Sequence, residues 1–407
     1  MPKTLKFPPG FLWGASTSAH QVEGGNKNDW SEWEKSELRI KNLELKGLNP
    51  DDFISGRACD SYNRYEEDFD LCVKMNNNAH RLGIEWSRVE PEEGRFNMEA
   101  IEHYRKVLSA LKARNIKTVV TLWHWSNPLW LAEKGGWTNK HVSEYFSRYV
   151  ELIVKELGQY IDYWVVLNEP FVHIGHGYLT GKFPPNNKLS LAKIPELLNN
   201  LVNAHKKAYD IIHKNIKNAE VSLTFLTGYV EPARKWCPVE WLLAKIMSYI
   251  RNDYFFKKIK GHFDFIGVDY YHHDRIVFYP PFVRNKNKLV SDFGWEIYPE
   301  GIYHVLKGYA KYKKPILILE NGVADAKDQY RKDFIVDHLK WVHKAISEGA
   351  DVRGYFHWSL LDNFEWADGY GMKFGLHEVD RKTFKRTPRP SARVYGEICR
   401  RNGIEVN

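Results

Sequence analysis

The chain has 407 residues, 43% of them hydrophobic and 27% charged, with a net charge of +8 at neutral pH. That length admits two ordinary domains or one large α/β barrel. Lysines and arginines are scattered among acids along helical faces and form no basic block, so the excess charge describes a solvated surface and not a nucleic-acid partner.

Cys59, Cys72, Cys237 and Cys399 lie far apart and lack metal-ligand spacing, which reads as reduced thiols. Pro8, Pro9, Gly10 and Gly14 break up the N-terminal hydrophobic residues, and Trp241-Leu-Leu-Ala is interrupted by Lys245 within one turn. The expectation is a cytoplasmic protein with no nucleic-acid or membrane partner, its oligomeric state left open.

In chain order, Phe11 to Thr17 is the first predicted strand, followed by a polar, Asn-rich loop to about Pro50. Asp60 to Met75 reads as a helix, with Tyr62, Tyr65, Phe69 and Val73 at helical spacing. Ala79 to Trp86 is the second strand. Asn97 is placed to cap a helix that carries Ile101, Tyr104, Leu108 and Leu111 on one face. Lys117 to Trp125 is the third strand, and the helix from about Asn139 to Leu157 stops at Gly158. The fourth strand is Tyr163-Trp-Val-Val-Leu-Asn168-Glu169. Helical stretches over 195–216 and 239–260 flank a fifth strand, Val221 to Leu226, and precede a sixth, Phe263 to Tyr271. The seventh is Pro315-Ile-Leu-Ile-Leu-Glu320, ending in Asn-Gly. A helix from Asp328 to Glu348 leads to the eighth, Val352 to Leu361.

Eight short apolar strands alternating with amphipathic helices predict an α/β fold, a single (β/α)8 TIM barrel spanning residues 1–407 with compact loops. A doubly wound open sheet also alternates. However, no glycine-rich phosphate loop follows the first strand, and eight is the closing number.

In such barrels the reactive groups gather at the C-terminal strand ends. Those ends carry Gln21, Arg81, His124, Trp125, Asn168, Glu169, Tyr270, Tyr271, Glu320 and Trp358, and the loop after strand eight adds Glu365 and Trp366. Singly, each has a plain structural explanation: a solvated strand-end carboxylate, a satisfied core histidine, a packed indole. Together they supply two carboxylates, hydroxyl-binding amides, an imidazole and indoles suited to a pyranose face.

The motifs GASTSAHQVEGG, HRLGIEWSRVEP, TLWHW, LNEP, DFIGVDYY, ILENG and HWSLLDNFEWADGY span nearly the whole chain. In them the sequence resembles glycoside hydrolase family 1, the β-glucosidase and β-glycosidase group, and is closest in style to its archaeal-type members. The resemblance implies a retaining, exo-acting β-glycosidase for small carbohydrate substrates: terminal β-D-glucosyl and β-D-galactosyl residues, with β-D-fucosyl residues as an extension. It implies no cofactor and no metal. Glu169 would be the acid/base and Glu320 the nucleophile, supported by Arg81, Asn168 and Tyr271. Asn168 would also hold the 2-hydroxyl. Gln21, His124 and Trp366 would serve the 3- and 4-hydroxyls and Glu365 the 4- and 6-hydroxyls, Trp358 would form the apolar floor of the sugar site, and Trp125 would also bind substrate. A carboxylate at 365 would repel a 6-phosphate.

The chain departs from that pattern at Asp269, where Asn is usual, and at Trp123 and Ser126-Asn127, which bear on leaving-group preference. Its short segments predict an open entrance. His272-His273-Asp274 invites a metal reading, but consecutive strand histidines point apart, and a loop without a ligand role is the simpler expectation. Two other functions fit the pattern less well: an endo-β-glycanase of the same barrel clan, and an inactive sugar-binding protein on this scaffold. The second sits poorly with the presence of both Glu169 and Glu320.

Overall fold

The computed structural model describes residues 3–406. Eight parallel strands form a closed barrel: β1 (Leu12–Ser16), β2 (Ala79–Gly83), β3 (Lys117–Thr121), β4 (Tyr163–Asn168), β5 (Glu220–Pro232), β6 (Ile266–Ile276), β7 (Ile316–Asn321) and β8 (Val352–Trp358). β8 returns to β1, with Ser16 opposite Trp358. A main helix follows each strand: α1 (Ser61–Lys74), α2 (Met98–Ala113), α3 (Val142–Leu157), α4 (Ile194–Asn215), α5 (Pro238–Asn252), α6 (Glu300–Tyr309), α7 (Arg331–Ser347) and α8 (Pro390–Arg401). The predicted barrel is the fold observed.

Parallel barrel strands are covered on both faces, which is why they read as continuous apolar runs. Leu12, Ala79, Val119, Val165, Phe265, Leu317, Leu319 and Phe356 fill the interior. Gly14 makes room there, since a Cβ at that position would lie within 2.7 Å of both the Phe356 ring and the Ala79 carbonyl. With the interior plugged by side chains from the early strand positions, the C-terminal rim is the end left to bind a ligand. Outside, α2 begins where the Asn97 side chain accepts from the Glu99 and Ala100 amides. Its stripe of Ile101, Tyr104, Leu108 and Leu111 is buried, each such aliphatic side chain contributing about 1.5–3 kcal/mol.

The structure differs from the sequence reading in several places, beginning with α6 and α8, which no predicted stretch covers. The supposed loop before Pro50 holds two helices, Asp29–Glu34 and Glu37–Leu45, the first opened by a capping box between Asn28 and Ser31. β5 and β6 run beyond their predicted ends, pairing from Tyr229 with His273 to Pro232 with Ile276. His272, His273 and Asp274 are therefore strand residues and not a loop. The helical stretch 239–260 breaks at Asp253 into α5 and a short helix, Tyr254–Lys258. All four cysteines are buried and free. Among the described residues no helix is long and apolar enough to cross a membrane.

Candidate active site

A cavity of about 1000 Å³ opens at the C-terminal rim. Gln21, His124, Trp125, Glu169, Tyr271, Glu320, Trp358, Glu365 and Trp366 all line it. Residues from seven separate stretches of sequence thus converge because the barrel closes. Arg81 and Asn168 do not reach the wall. Both are fully buried and form the layer beneath it.

Glu320 ends β7, opposite Asp269 of β6 in the register. One of its oxygens accepts from Arg81 Nη1, and the other accepts from the Tyr271 hydroxyl at 2.6 Å. Two such donors suit an anionic carboxylate. Arg81 is itself fixed, donating from Nε to Thr121 Oγ1 at 3.1 Å and from Nη2 to Asn168 Oδ1. Gly322 follows closely, and a Cβ there would run into the Trp358 carbonyl, so the turn bearing Glu320 and the Trp358 wall meet without a spacer.

Glu169 follows β4 with φ +41° and ψ 60°, a left-handed conformation rare for a side chain with a Cβ. Trp125 and Trp366 share that property, with φ +71° and +51°. Such residues cost of order 1–3 kcal/mol each and persist where the surroundings hold them. For Glu169 the hold includes its amide donating to the Thr224 carbonyl at 2.9 Å. For Trp125 it includes the indole donating to the Asn168 carbonyl at 3.0 Å.

Asp269 joins these two glutamates. One oxygen from each of Glu169, Asp269 and Glu320 lies within 4.8 Å of the others. Asp269 accepts from the Thr224 hydroxyl and lies 4.0 Å from Arg81. Glu169 Oε1 and Asp269 Oδ1 are buried with no donor, yet the two carboxyls are within hydrogen-bonding reach of each other. One proton between them satisfies both atoms, whereas two anions would leave both orphaned. Burial, followed by the charges of Asp269 and Glu320, holds Glu169 well above the usual carboxylate range. Burial and the Glu320 charge do the same to Asp269. Three carboxylates are also the donor set of a hard cation, but here the Arg81 guanidinium already serves as cation to Glu320 and Asp269.

His124 Nε2 lies 3.0 Å from Asn168 Nδ2. With the amide donating, the imidazole proton is on Nδ1, which is buried and unpartnered and so free to meet a ligand oxygen. Burial, and then Arg81, pushes the His124 pKa well down, so the ring is neutral. Gln21 donates to the Phe364 carbonyl at 2.8 Å and to Glu365 at 3.3 Å, tying the first rim segment to the last. Burial raises Glu365, with Asp368 and Glu320 adding to it. Trp366 stacks on His20 with centroids 5.3 Å apart, and it packs on Trp125 at 4.8 Å.

The remaining departures separate from the cavity. Trp123 donates to Asn127 at 3.1 Å, Ser126 donates to Glu85 at 2.9 Å, and Asn127 donates to Asp29 at 2.7 Å. All three are buried in a polar network and none lines the cavity, so the expected bearing on the leaving group is corrected. His273 lies 3.1 Å from Glu296 and 3.2 Å from Glu231, and His272 lies 3.7 Å from Asp274. Sequence reasoning missed Leu226, Phe293 and Trp295, which also line the cavity. Leu226 ends the predicted fifth strand but is apolar, and no strand-end pattern marks Phe293 or Trp295. Phe293 and Trp295 come from the segment after β6, stacked at 4.4 Å.

A carboxylate pair at the rim of a closed (β/α)8 barrel, walled by indoles, defines a glycoside-cleaving enzyme of the barrel type. The sequence profile of glycosyl hydrolase family 1 matches residues 3–274 and 247–404. The chain belongs to that family and is a β-glycosidase. It is 32% identical over 451 residues to the 1,4-beta-D-glucan glucohydrolase of Thermotoga neapolitana, covering 98% of this chain and 99% of that one. It is 30% identical over 506 residues to the beta-galactosidase of Pyrococcus woesei, covering 98% of each. Among solved structures, the beta-glycosidase from Pyrococcus horikoshii superposes with a TM-score of 0.89 at 36% identity, over 99% of this chain and 96% of that one. The beta-glucosidase from Thermotoga maritima in complex with glucoimidazole gives 0.89 at 31% identity, over 98% and 100%.

Proposed function

We propose that this β-glycosidase removes terminal β-D-glucosyl and β-D-galactosyl residues from small glycosides by double displacement, with residues 1–407 acting as one catalytic unit. Glu320 attacks the anomeric carbon as the glycosidic bond breaks, and Glu169 gives its proton to the departing oxygen. Glu169 then takes a proton from water, whose oxygen displaces the Glu320 ester. The observation that carries this reading is the approach of the two carboxylates. Oxygens within 4.8 Å match the roughly 5–5.5 Å of a retaining pair and leave no room for the water of an inverting one. Arg81 and Tyr271 hold Glu320. Asn168 fixes Arg81 and His124, with its second amide hydrogen available to the 2-hydroxyl. Gln21, His124, Glu365 and Trp366 read the remaining hydroxyls, and Trp125 and Trp358 supply apolar walls. Relatives named for glucosides and for galactosides support both sugars, as does a carboxylate at 365, which can accept from either orientation of the 4-hydroxyl.

Glu320→Gly tests the assignment. Hydrolysis of a nitrophenyl β-glucoside should vanish, and azide should restore turnover with an α-glycosyl azide as product. A β-configured azide product, or residual hydrolysis equal to the parent, would refute it.

A further inference from the structure

Helix α5 faces the wrong way for a barrel helix. Such helices bury their apolar stripe against the sheet. Toward the barrel α5 instead turns Glu240, Ala244, Ser248 and Arg251. Glu240 takes Arg234, Arg251 takes Asp274, and Asn252 donates to the Gly228 carbonyl at 3.0 Å. Val239, Trp241, Leu242, Ile246 and Ile250 are exposed, Leu242 by 57%. The segment after β6 continues the surface with exposed Phe278 and Phe282. Arg234 joins the two parts, its guanidinium 5.3 Å from the Trp236 ring and 5.0 Å from Phe278. Of the 20 large apolar residues exposed among the described residues, 12 fall between 236 and 289. This is one patch and not the normal scatter of a soluble surface.

The charges around it have one sign. Lys235, Lys245, Lys257, Arg284 and Lys288 have no carboxylate within ion-pair distance among the described residues. Most acids of the segment are engaged, Glu231 with Arg275, Glu240 with Arg234, Asp253 with Lys311 and Asp274 with Arg251, and exposed Asp292 accepts from the Ala326 amide. Lys245 Nζ sits 3.6 Å over the Trp241 ring and Lys257 Nζ 4.4 Å over Tyr249. Aromatic rings at the edge of an apolar face, with lysine stems beside them, suit a boundary between water and lipid.

We propose that this face docks on an anionic lipid surface, with α5 in the headgroup plane, Leu242 and Ile246 toward the acyl chains and the flanking cations on the lipid phosphates. A second copy of the chain fits less well, because a two-fold contact would press two uncompensated cationic rims together. α5 has 15 residues, too few to span a bilayer. The sequence excluded a membrane partner for lack of a span, and a peripheral contact needs none.

The full chain is floated with vesicles of phosphatidylcholine and phosphatidylserine, and with phosphatidylcholine alone, at low and high salt. Docking gives flotation with the mixed vesicles that weakens several-fold as salt rises. Leu242→Asp with Ile246→Asp lowers the vesicle-bound fraction about tenfold or more, and Arg284→Glu with Lys288→Glu removes the preference for phosphatidylserine. All four side chains are exposed, so unchanged hydrolysis of a soluble nitrophenyl glucoside reports that both variants are folded. Failure to float, equal flotation on phosphatidylcholine alone, or undiminished flotation of the Leu242→Asp/Ile246→Asp chain overturns the proposal. A sedimenting dimer that Leu242→Asp dissociates also overturns it, assigning the face to a second copy.

Discussion

Asp269→Asn removes a charge from beside Glu169 while keeping the shape of the side chain. Oxygens of the two residues lie within 4.8 Å. At an effective dielectric constant of about 20, an anion at that distance makes ionisation of Glu169 harder by about 3.5 kcal/mol. Arg81, 4.0 Å from Asp269, is present in both proteins, so the Glu169 pKa falls when the Asp269 charge is removed. As the proposed acid, Glu169 must be protonated to act first, so losing the neighbouring charge moves the alkaline limb of kcat/KM to lower pH. The new amide also offers an N–H to the carboxylate, which acts in the same direction. The assay is kcat/KM for a nitrophenyl β-glucoside against pH, because that ratio reports the free enzyme. On the acid side the rate should stay within about tenfold of the parent, since both reacting carboxyls remain. An alkaline limb that stays in place or moves upward would refute the shared proton.

Glu169→Ala should lower kcat/KM by about 10²–10⁴ on alkyl glycosides and far less on dinitrophenyl glycosides, whose leaving group needs no proton. Equal losses on the two would count against the acid role. Asp68→Ala strands Arg386, which donates to Asp68 at 2.8 Å inside the protein. Unfolding should become easier by about 3–5 kcal/mol with the sugar site untouched, and an unchanged denaturation midpoint would sink that account. Buried His173 has neither nitrogen partnered and a pKa lowered to about 3 by burial. The unfolded imidazole takes its proton near pH 6.5, so each pH unit lost between 6.5 and 3 favours the unfolded chain by about 1.4 kcal/mol. His173→Phe should flatten that acid limb, with the variant gaining about 2 kcal/mol on the parent between pH 6.5 and pH 5. Parallel stability curves for the two proteins would exclude His173 as a cause.

The barrel was legible because each strand is a short apolar run that stops at a polar residue, and β4 and β7 each deliver a glutamate at that stop. Burial on both faces produces the first feature and the rim the second. The helices at 29–45 were missed under a polar composition, although Asn28 with Ser31 is a capping signal. The extensions of β5 and β6 were missed because Thr227 to Pro232 and His272 to Ile276 gain strand partners only from each other. The apolar residues of α5 were visible at helical spacing. Their direction was not, since spacing says which residues share a face and not which face meets the barrel. The place of Asp269 in the site depends on the register of β6 with β5 and β7, which sets it opposite Leu226 and Glu320 and within reach of the Thr224 hydroxyl.

Asp269 differs from Glu320 in what happens to its charge during turnover. In the free enzyme both favour a proton on Glu169. In the proposed double displacement the sugar esterifies Glu320, that charge disappears, Arg81 loses its nearest anion, and Glu169 is released to act as base. The Asp269 charge persists through both steps, since no bond forms to it. A persistent anion moves both working states of Glu169 in the same direction, making it a better-held acid before the ester forms and a stronger base afterwards. With the amide usual in the family at this position, Glu320 alone would set the swing. The pH optimum of this chain should therefore lie on the alkaline side of its own Asp269→Asn variant in both half-reactions. Single-turnover measurement of deglycosylation against pH separates the second half from the first, and a shift confined to glycosylation would mean that Asp269 gains a proton once Glu320 is esterified.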